Sequence, residues 1–199
     1  MAEMTATERS VLDVIRTRRS IARMKPDPIP REVIEELLDA AVWAPNHWMT
    51  EPWQFFVLEG EAKRRFAEMR REVHRARLPD PDSPQAQNAL EIAYRATLQT
   101  PVIIVVTSRV AADPEVREED FWATFGAAYA FMLGAWSKGI GTYFRSGALR
   151  DYPPLRQFLG LPDDRRILGF IYVGYPEDIP HKRRTPAREK TIWLDGSAS

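Results

Sequence analysis

The sequence contains no cysteine and only 3 histidines among its 199 residues. Without cysteine the chain can form no disulfide bond, offers no thiol nucleophile and cannot ligate an iron–sulfur cluster through thiolates. The histidines, at positions 47, 74 and 181, are scattered along the chain, whereas a zinc site needs several ligands together. We therefore predict no metal site.

Neither sign of charge dominates, because 28 Lys and Arg residues balance 28 Asp and Glu residues. The chain thus lacks the positive bias that draws proteins to nucleic acid or to anionic membranes. The longest uncharged run, 121–137, is shorter than the roughly 20 apolar residues of a membrane-spanning helix. The polar N-terminus has no apolar segment typical of a signal peptide. We predict one cytoplasmic domain over 1–199, with a basic tail from about residue 181, that binds neither nucleic acid nor membrane.

Apolar periodicity predicts the secondary structure. The run Val102–Val106 is continuously apolar and β-branched, which is typical of a strand buried on both faces. The proline-rich segments 25–30 and 78–84 cannot be helical and are predicted to be loops. Helices are predicted at about 7–17, 31–44, 61–75, 85–98, 121–138 and 152–159, and strands at about 54–58, 102–106, 142–144 and 167–175.

The predicted helix 121–138 is apolar nearly all round, so it must be buried on every side. Small residues recur at Gly126, Ala127, Ala130 and Gly134, which allows another helix to approach closely. A chain of this size can hardly cover such a helix alone. The pattern therefore predicts that a second subunit covers part of it.

The segment Arg18-Arg19-Ser20 places two guanidinium groups and a hydroxyl at the end of the first predicted helix. Arginine forks donate paired hydrogen bonds to a phosphate and keep their charge, so the segment suits a phosphate monoester. Farther along, a polar and aromatic turn from Trp43 to Trp53 could flank a planar ring. Together these segments indicate a phosphorylated aromatic cofactor. The alternative is a solvated helix end, where basic residues only complement the helix dipole.

Further short motifs follow in a fixed order. They are Arg18-Arg19-Ser20-Ile21, the segment 25–30, Ala44-Pro45-Asn46-His47, Glu51-Pro52-Trp53, the segment 144–149, and Gly169-Phe170 through Gly174-Tyr175-Pro176. In this order and at these spacings, they resemble the FMN-dependent nitroreductase family. The pair Asn46-His47 and the string Arg145-Ser146-Gly147-Ala148-Leu149 are similar to its compact branch, which lacks large lid insertions.

The resemblance implies an α+β fold, with a central, mostly antiparallel sheet flanked by helices, and an obligate homodimer that binds FMN at the subunit interface. The implied FMN-binding residues are Arg18, Arg19, Ser20, Trp43, His47, Phe144, Arg145, Ser146 and Arg184. Taken singly, each also has a purely local interpretation: His47 as a turn residue, the segment 144–146 as a strand end, and Arg184 as solvated charge. We favour the cofactor role for Arg145, because an arginine leaving a buried strand needs an acceptor or anionic partner.

The chain departs from the better-known branch at two positions. Met49 stands where that branch has asparagine, and Glu51 where it has glutamine. His47 could replace the missing contact to the flavin. The stretch 134–139 is similar to a nicotinamide nucleotide segment of the compact branch, although a helix C-terminus closed by glycine explains it equally well.

The implied activity is transfer of hydride from NAD(P)H, through FMN, to a small aromatic or quinone acceptor. Because the flavin carries this chemistry, no side chain is predicted to be catalytic. Two alternatives remain open at this stage: a flavin-binding redox sensor or regulatory protein without turnover, and a structural helical dimer with no cofactor.

Overall fold

The computed structural model of the chain describes residues 10–194. Its helices are α1 (Val11–Thr17), α2 (Arg31–Ala41), α3 (Gly60–Arg75), α4 (Pro84–Gln99), α5 (Pro114–Ser137) and α6 (Pro153–Phe158). Its strands are β1 (Trp53–Leu58), β2 (Val102–Arg109), β3 (Gly141–Arg145) and β4 (Arg165–Gly174). Single 3-10 turns occur at His47–Met49, Ala148–Asp151 and Ala187–Glu189.

The four strands form one sheet in the order β1-β2-β4-β3, and each neighbouring pair is antiparallel. The central strand β2 is buried along its length up to Arg109, as its apolar, β-branched sequence predicts. It continues beyond the predicted end at Val106, after an irregularity in its register between Val106 and Thr107. Strands β1 and β3 form the two edges of the sheet. The segment that precedes β1 and the segment that follows β3 are therefore connected to opposite edges.

The two sheet faces bury separate apolar clusters. On one face, Ile103, Val105, Phe170 and Tyr172 pack with Phe66 of α3. On the other, Ile104 and Ile171 pack with residues of α2 and α5. Burial of such side chains contributes about 25 cal/mol per Å² of apolar surface.

Helix α5 begins at Pro114, well before the predicted start at Phe121. Asp113 caps it by accepting hydrogen bonds from the amides of Glu115 and Val116, and proline in the first turn is pre-shaped for a helix. The prediction followed the apolar run and missed this cap. The first two turns of α5 are consequently polar and carry Glu119 and the buried Asp120.

Helix α2 lies close against α5, and Gly134 makes that approach possible. A Cβ atom added at Gly134 would lie 3.0 Å from Leu37 Cδ2. The small residues predicted to admit a neighbouring helix thus admit one from the same chain. The opposite side of α5 remains partly uncovered, with 64% of Trp122 and 50% of Phe125 exposed.

The segment after α1 runs along the free edge of β3. Ser20 bridges Thr142 in parallel orientation, the Ile21 amide donates to the Thr142 carbonyl at 3.0 Å, and the Lys25 amide donates to the Tyr175 carbonyl at 2.8 Å. The other side of β3 lies against Gly169 of β4, where an added Cβ would come within 2.7 Å of the Arg145 carbonyl oxygen. Glycine here lets the two strands approach closely, and the pairing of Ser20 with Thr142 places Arg18–Ser20 beside the start of β3. The predicted helical residues 7–9 lie outside the described part of the chain.

Candidate functional site

Two adjacent cavities, each of about 360 Å³, lie on the sheet face that packs against α3 and α4. Both are lined by Arg70, Tyr143, Arg145 and Tyr172, so they are neighbouring parts of one cleft. The first part extends to the end of β3, where Phe144, Arg145 and Ser146 line it as the sequence predicts. The second part reaches Ile21 and Ala22, directly after Ser20.

Arg145 lies across an aromatic wall of this cleft. Its guanidinium carbon is 4.3 Å from the ring centroid of Tyr143 and 4.9 Å from that of Tyr172, within the range of cation–π attraction. Its Nε atom is buried and has no hydrogen-bond partner within residues 10–194. A buried donor without an acceptor costs free energy, so Arg145 is suited to donate to a ligand.

Arg70 projects into the same cleft from α3. One of its terminal nitrogens donates to the Ala93 carbonyl and to Thr97 Oγ1, both at 2.9 Å and both on α4. Burial lowers the pKa of Arg70, and the positive charge of Arg145 lowers it further. Since its hydrogen-bond partners here are neutral, the charge of Arg70 is not balanced by these contacts.

His74 and Arg77 continue the basic surface of α3. Arg70 and His74 lie one turn apart on one face of α3, Arg77 follows in the turn after the helix, and all three line the first part of the cleft. Burial is the largest cause of the lowered pKa of His74. The positive charges of Arg70, Arg145 and Arg77 lower it further. Sequence interpretation missed this group, although the i, i+4, i+7 spacing was available in the sequence.

The segment Arg18–Ser20, which is predicted to bind a phosphate, makes hydrogen bonds to the C-terminal end of its own helix, α1. A terminal nitrogen of Arg19 donates to the Arg16 carbonyl at 2.7 Å and to the Arg18 carbonyl at 2.9 Å. This is the helix-capping alternative considered from sequence. Even so, Ser20 opposite Thr142 lies about three residues, roughly 10 Å, along β3 from Arg145.

The turn that precedes β1 lies at the other edge of the sheet. It is strained, because Trp48, Met49 and Glu51 adopt positive φ angles of 56°, 51° and 42°. Asn46 supports it by accepting a hydrogen bond from the Glu51 amide at 3.0 Å. Trp43, just upstream, is 88% exposed.

Helix α5 anchors this turn at two points. The Nδ1 atom of His47 is 2.7 Å from Glu119 Oε2, so His47 is paired with a carboxylate rather than with backbone. Thr50 donates to Asp120 Oδ1 at 2.7 Å, while Arg109 donates to Asp120 Oδ2 through two nitrogens at 2.9 and 3.1 Å. Neither Glu119 nor Asp120 was singled out from sequence, because charged residues in the first turns of a helix are common.

The structure therefore assembles part of the predicted site and separates the rest. Phe144, Arg145 and Ser146 line the cleft, whereas Ile21 and Ala22, which follow Arg18–Ser20 in the chain, line its second part. The turn carrying Trp43 and His47 precedes β1, at the sheet edge opposite β3, and lines neither part of the cleft. Arg184 is exposed in the tail, and the contact it makes there is to its neighbour's carbonyl, at 3.3 Å.

The stretch 134–139 forms the C-terminus of α5. Gly139 has a φ of 76° and its amide donates to the Trp136 carbonyl, while the Ile140 amide donates to the Ala135 carbonyl. These bonds satisfy the last carbonyls of the helix, as a glycine-closed terminus requires.

No group of three or more His, Asp or Glu side chains suited to a metal ion occurs within residues 10–194. Over the same range, none of the helices combines the length and apolar character needed to cross a membrane.

Comparison with known proteins identifies the family. Residues 15–175 match the model of the nitroreductase family. YfhC of Bacillus subtilis (strain 168), classed by its name among the NAD(P)H nitroreductases, is 35% identical over 187 residues, covering 92% of this chain and 94% of YfhC.

Solved structures agree. A nitroreductase-like family protein from Bacillus cereus superimposes with a TM-score of 0.83 at 31% identity, covering 97% of this chain and 100% of the other. The nitroreductase of Bacteroides fragilis NCTC 9343, solved with bound FMN, shares the fold with a TM-score of 0.73 at 21% identity, over 93% of this chain and 99% of the other. The predicted α+β fold is confirmed, and the chain belongs to the nitroreductase family.

Proposed function

We propose that this nitroreductase-family protein is a homodimeric, FMN-dependent oxidoreductase that passes hydride from NADH or NADPH to a small aromatic or quinone acceptor. Family membership supports the reaction class. The name of YfhC supports a nicotinamide donor, and the FMN-bound structure from Bacteroides fragilis supports the cofactor.

The observation that carries the proposal is the cleft beside β3. It combines an aromatic wall, at Tyr143 and Tyr172, with the buried and unpartnered Nε donor of Arg145. A flavin ring offers a flat surface and carbonyl oxygens to such a site, and Arg18–Ser20, beside the start of β3, offer hydrogen bonds to its phosphate. The residues present therefore fit FMN, which when bound would supply the two-electron chemistry.

In this proposal each side chain has a binding or orienting role. Arg18, Arg19 and Ser20 bind the phosphate and ribityl chain. Arg19 then replaces its hydrogen bonds to the carbonyls of α1 with hydrogen bonds to the phosphate. Arg145 donates to the ring edge, where negative charge accumulates on reduction, while Phe144 and Ser146 line the ring pocket. Arg184 is exposed, so completing the phosphate site with this residue requires a different conformation of the tail.

Trp43 and His47 would meet the flavin from a second copy of the chain. Within one chain their turn precedes β1, at the sheet edge opposite β3, and a two-fold dimer would combine the turn of one copy with the cleft of the other. The exposed Trp122 and Phe125 of α5 provide apolar surface for that contact. Glu119 would hold the ring of His47 in place through Nδ1, leaving Nε2 toward the partner's flavin.

Anaerobic titration of the purified protein with NADH and NADPH tests the function. We expect a yellow protein whose visible absorption is lost on addition of one of these donors and restored by a nitroaromatic or quinone. A yellow protein that neither donor bleaches would instead support the redox-sensor alternative. A colourless protein that does not bind added FMN would contradict the proposal.

A further inference from the structure

We propose that Arg70 and Arg145 form an anion-binding cavity that takes the acidic group of a small aromatic ligand, such as a carboxylate or a phosphate. The inference adds a ligand chemistry to the proposed function. It rests on that function only for the identity of the ligand, which is either the electron acceptor or the cofactor. The cavity itself is defined by this chain's own side chains.

Four basic side chains converge on the cavity. Arg70 and His74 face it from α3, Arg77 from the turn that follows α3, and Arg145 from β3. None of its lining residues is an aspartate or a glutamate. A cluster of one sign, inside a cleft walled by aromatic rings, focuses a positive potential there.

Two arginines of α3 that lie outside the cleft are paired with carboxylates. Arg64 pairs with Glu61 and Glu68, and Arg75 pairs with Asp82. By contrast, no ion pair in the described part of the chain involves Arg70, Arg77 or Arg145. The three arginines that line the cleft therefore have no counter-charge within residues 10–194.

The buried Nε of Arg145 supplies a second, independent indication. Its N–H points to no acceptor within residues 10–194, although the guanidinium is held by the rings of Tyr143 and Tyr172. An unsatisfied buried donor is costly, and a guanidinium has five N–H donors, so Arg145 can donate to a bound anion as well as to the ring edge of the flavin.

The walls of the cavity define the rest of the ligand. Tyr143, Phe170 and Tyr172 line it, and its volume is about 360 Å³. Such walls favour a flat ring over a flexible aliphatic chain. Burial is the largest cause of the lowered pKa values of Arg70 and His74, and the neighbouring positive charges lower them further.

Calorimetric titration of the purified protein with benzoate and with benzamide tests the cavity directly. The two probes have nearly the same shape and differ in charge. We expect benzoate to bind at least tenfold more tightly, and Arg70→Gln to reduce the benzoate-to-benzamide affinity ratio about tenfold, since hydrogen bonds to charged groups are strong.

Two controls separate charge recognition from structure. Arg71→Gln removes the same charge from an exposed neighbouring position outside the cleft and leaves the ratio unchanged. Thr97→Val removes the hydroxyl to which Arg70 donates but keeps the Arg70 guanidinium. We therefore expect the benzoate-to-benzamide affinity ratio to be maintained even if the melting temperature falls. If Arg70→Gln does not fold, Arg77→Gln at its exposed position gives a smaller decrease in the same direction.

Two further ratios identify the source of the anion. A decrease in the 4-nitrobenzoate-to-nitrobenzene ratio of kcat/KM in Arg70→Gln assigns the cavity to the acceptor. A decrease in the FMN-to-riboflavin affinity ratio assigns it to the cofactor phosphate. The proposal is overturned if the wild type does not prefer benzoate to benzamide, or if Arg70→Gln leaves all three ratios unchanged. Wild-type reduction of neutral nitrobenzene by NADH or NADPH reports separately on the proposed function.

Discussion

Arg19 and Arg145 show how differently two arginines of one predicted site are used. Arg19 donates to the carbonyls that end α1, so its contacts are satisfied locally. Arg145 is held between aromatic rings with its Nε buried and unpartnered in the described chain. The first residue must give up contacts to bind a ligand, whereas the second gains one.

Arg19→Ala is expected to weaken FMN binding about ten- to a hundredfold, because a charge-assisted hydrogen bond contributes about 1.5–3 kcal/mol. Riboflavin, which lacks the phosphate, should be affected little. Fluorescence titration of both flavins measures the difference, with Arg16→Ala on the exposed side of α1 as the control. Equal losses for FMN and riboflavin would show that Arg19 does not recognise the phosphate.

His74 is expected to titrate below the usual histidine value of about 6.5, because burial and three neighbouring positive charges disfavour its protonated form. The unfolded chain then binds more protons than the folded one between the two pKa values. Stability should consequently fall as pH falls through that interval.

NMR titration of the His74 ring checks this expectation, and Arg70→Gln should raise the pKa by removing one of the repelling charges. Arg71→Gln serves as the matched control outside the cleft. A His74 pKa at or above its ordinary value in the wild type would contradict the described electrostatics.

At the scale of elements, α5 fixes the strained turn before β1. Asp120 is 2% exposed and accepts hydrogen bonds from Thr50 of the turn and from Arg109 at the end of β2. Glu119, one residue earlier, holds His47. The polar start of α5 therefore positions the turn that we propose to complete the partner's site.

Asp120→Ala is expected to lower the free energy of unfolding by about 3 kcal/mol, since it leaves Arg109 without its buried counter-charge. Urea denaturation monitored by circular dichroism measures the change. Glu118→Gln, at an exposed position on the same helix, should stay within about 0.5 kcal/mol of the wild type. A change of that small size in Asp120→Ala would show that the network contributes little.

Sequence patterns predicted most elements because their apolar periods are strong. The run Val102–Val106 is such a case. The strand end at 144–146 lines a cleft, while its cofactor role stays a prediction. The start of α5 was misplaced because the cap at Asp113-Pro114 is a local signal that the apolar run does not contain.

The remaining features depend on tertiary structure. Arg70, His74 and Arg77 resemble ordinary surface charges until β3 is placed opposite them. The separation of His47 from Arg145 follows from strand order, which no local pattern encodes. The pairing of His47 with Glu119 likewise joins residues that are 72 positions apart.

At the scale of the molecule, α5 has one side covered by α2 and the sheet and another that exposes Trp122 and Phe125. A second copy of the chain would bury this surface. Ala130→Glu, which places a charge on the half-buried side of α5, is expected to dissociate or unfold the protein. Sedimentation velocity measures the outcome, with the exposed Ala112→Glu as control. A stable wild-type monomer that retains FMN would contradict the dimer.

The proposed site contains Arg145 from one subunit and His47 from its partner, and mixing two variants tests this most directly. His47→Ala and Arg145→Ala homodimers are each expected to have low NAD(P)H-dependent nitroreductase activity. After subunit exchange, half of the dimers are mixed and each mixed dimer contains one intact site, so activity should recover to about a quarter of the wild-type value. Native mass spectrometry verifies that mixed dimers form. Activity that stays at the mean of the two parents, with mixed dimers present, would contradict a site shared between subunits.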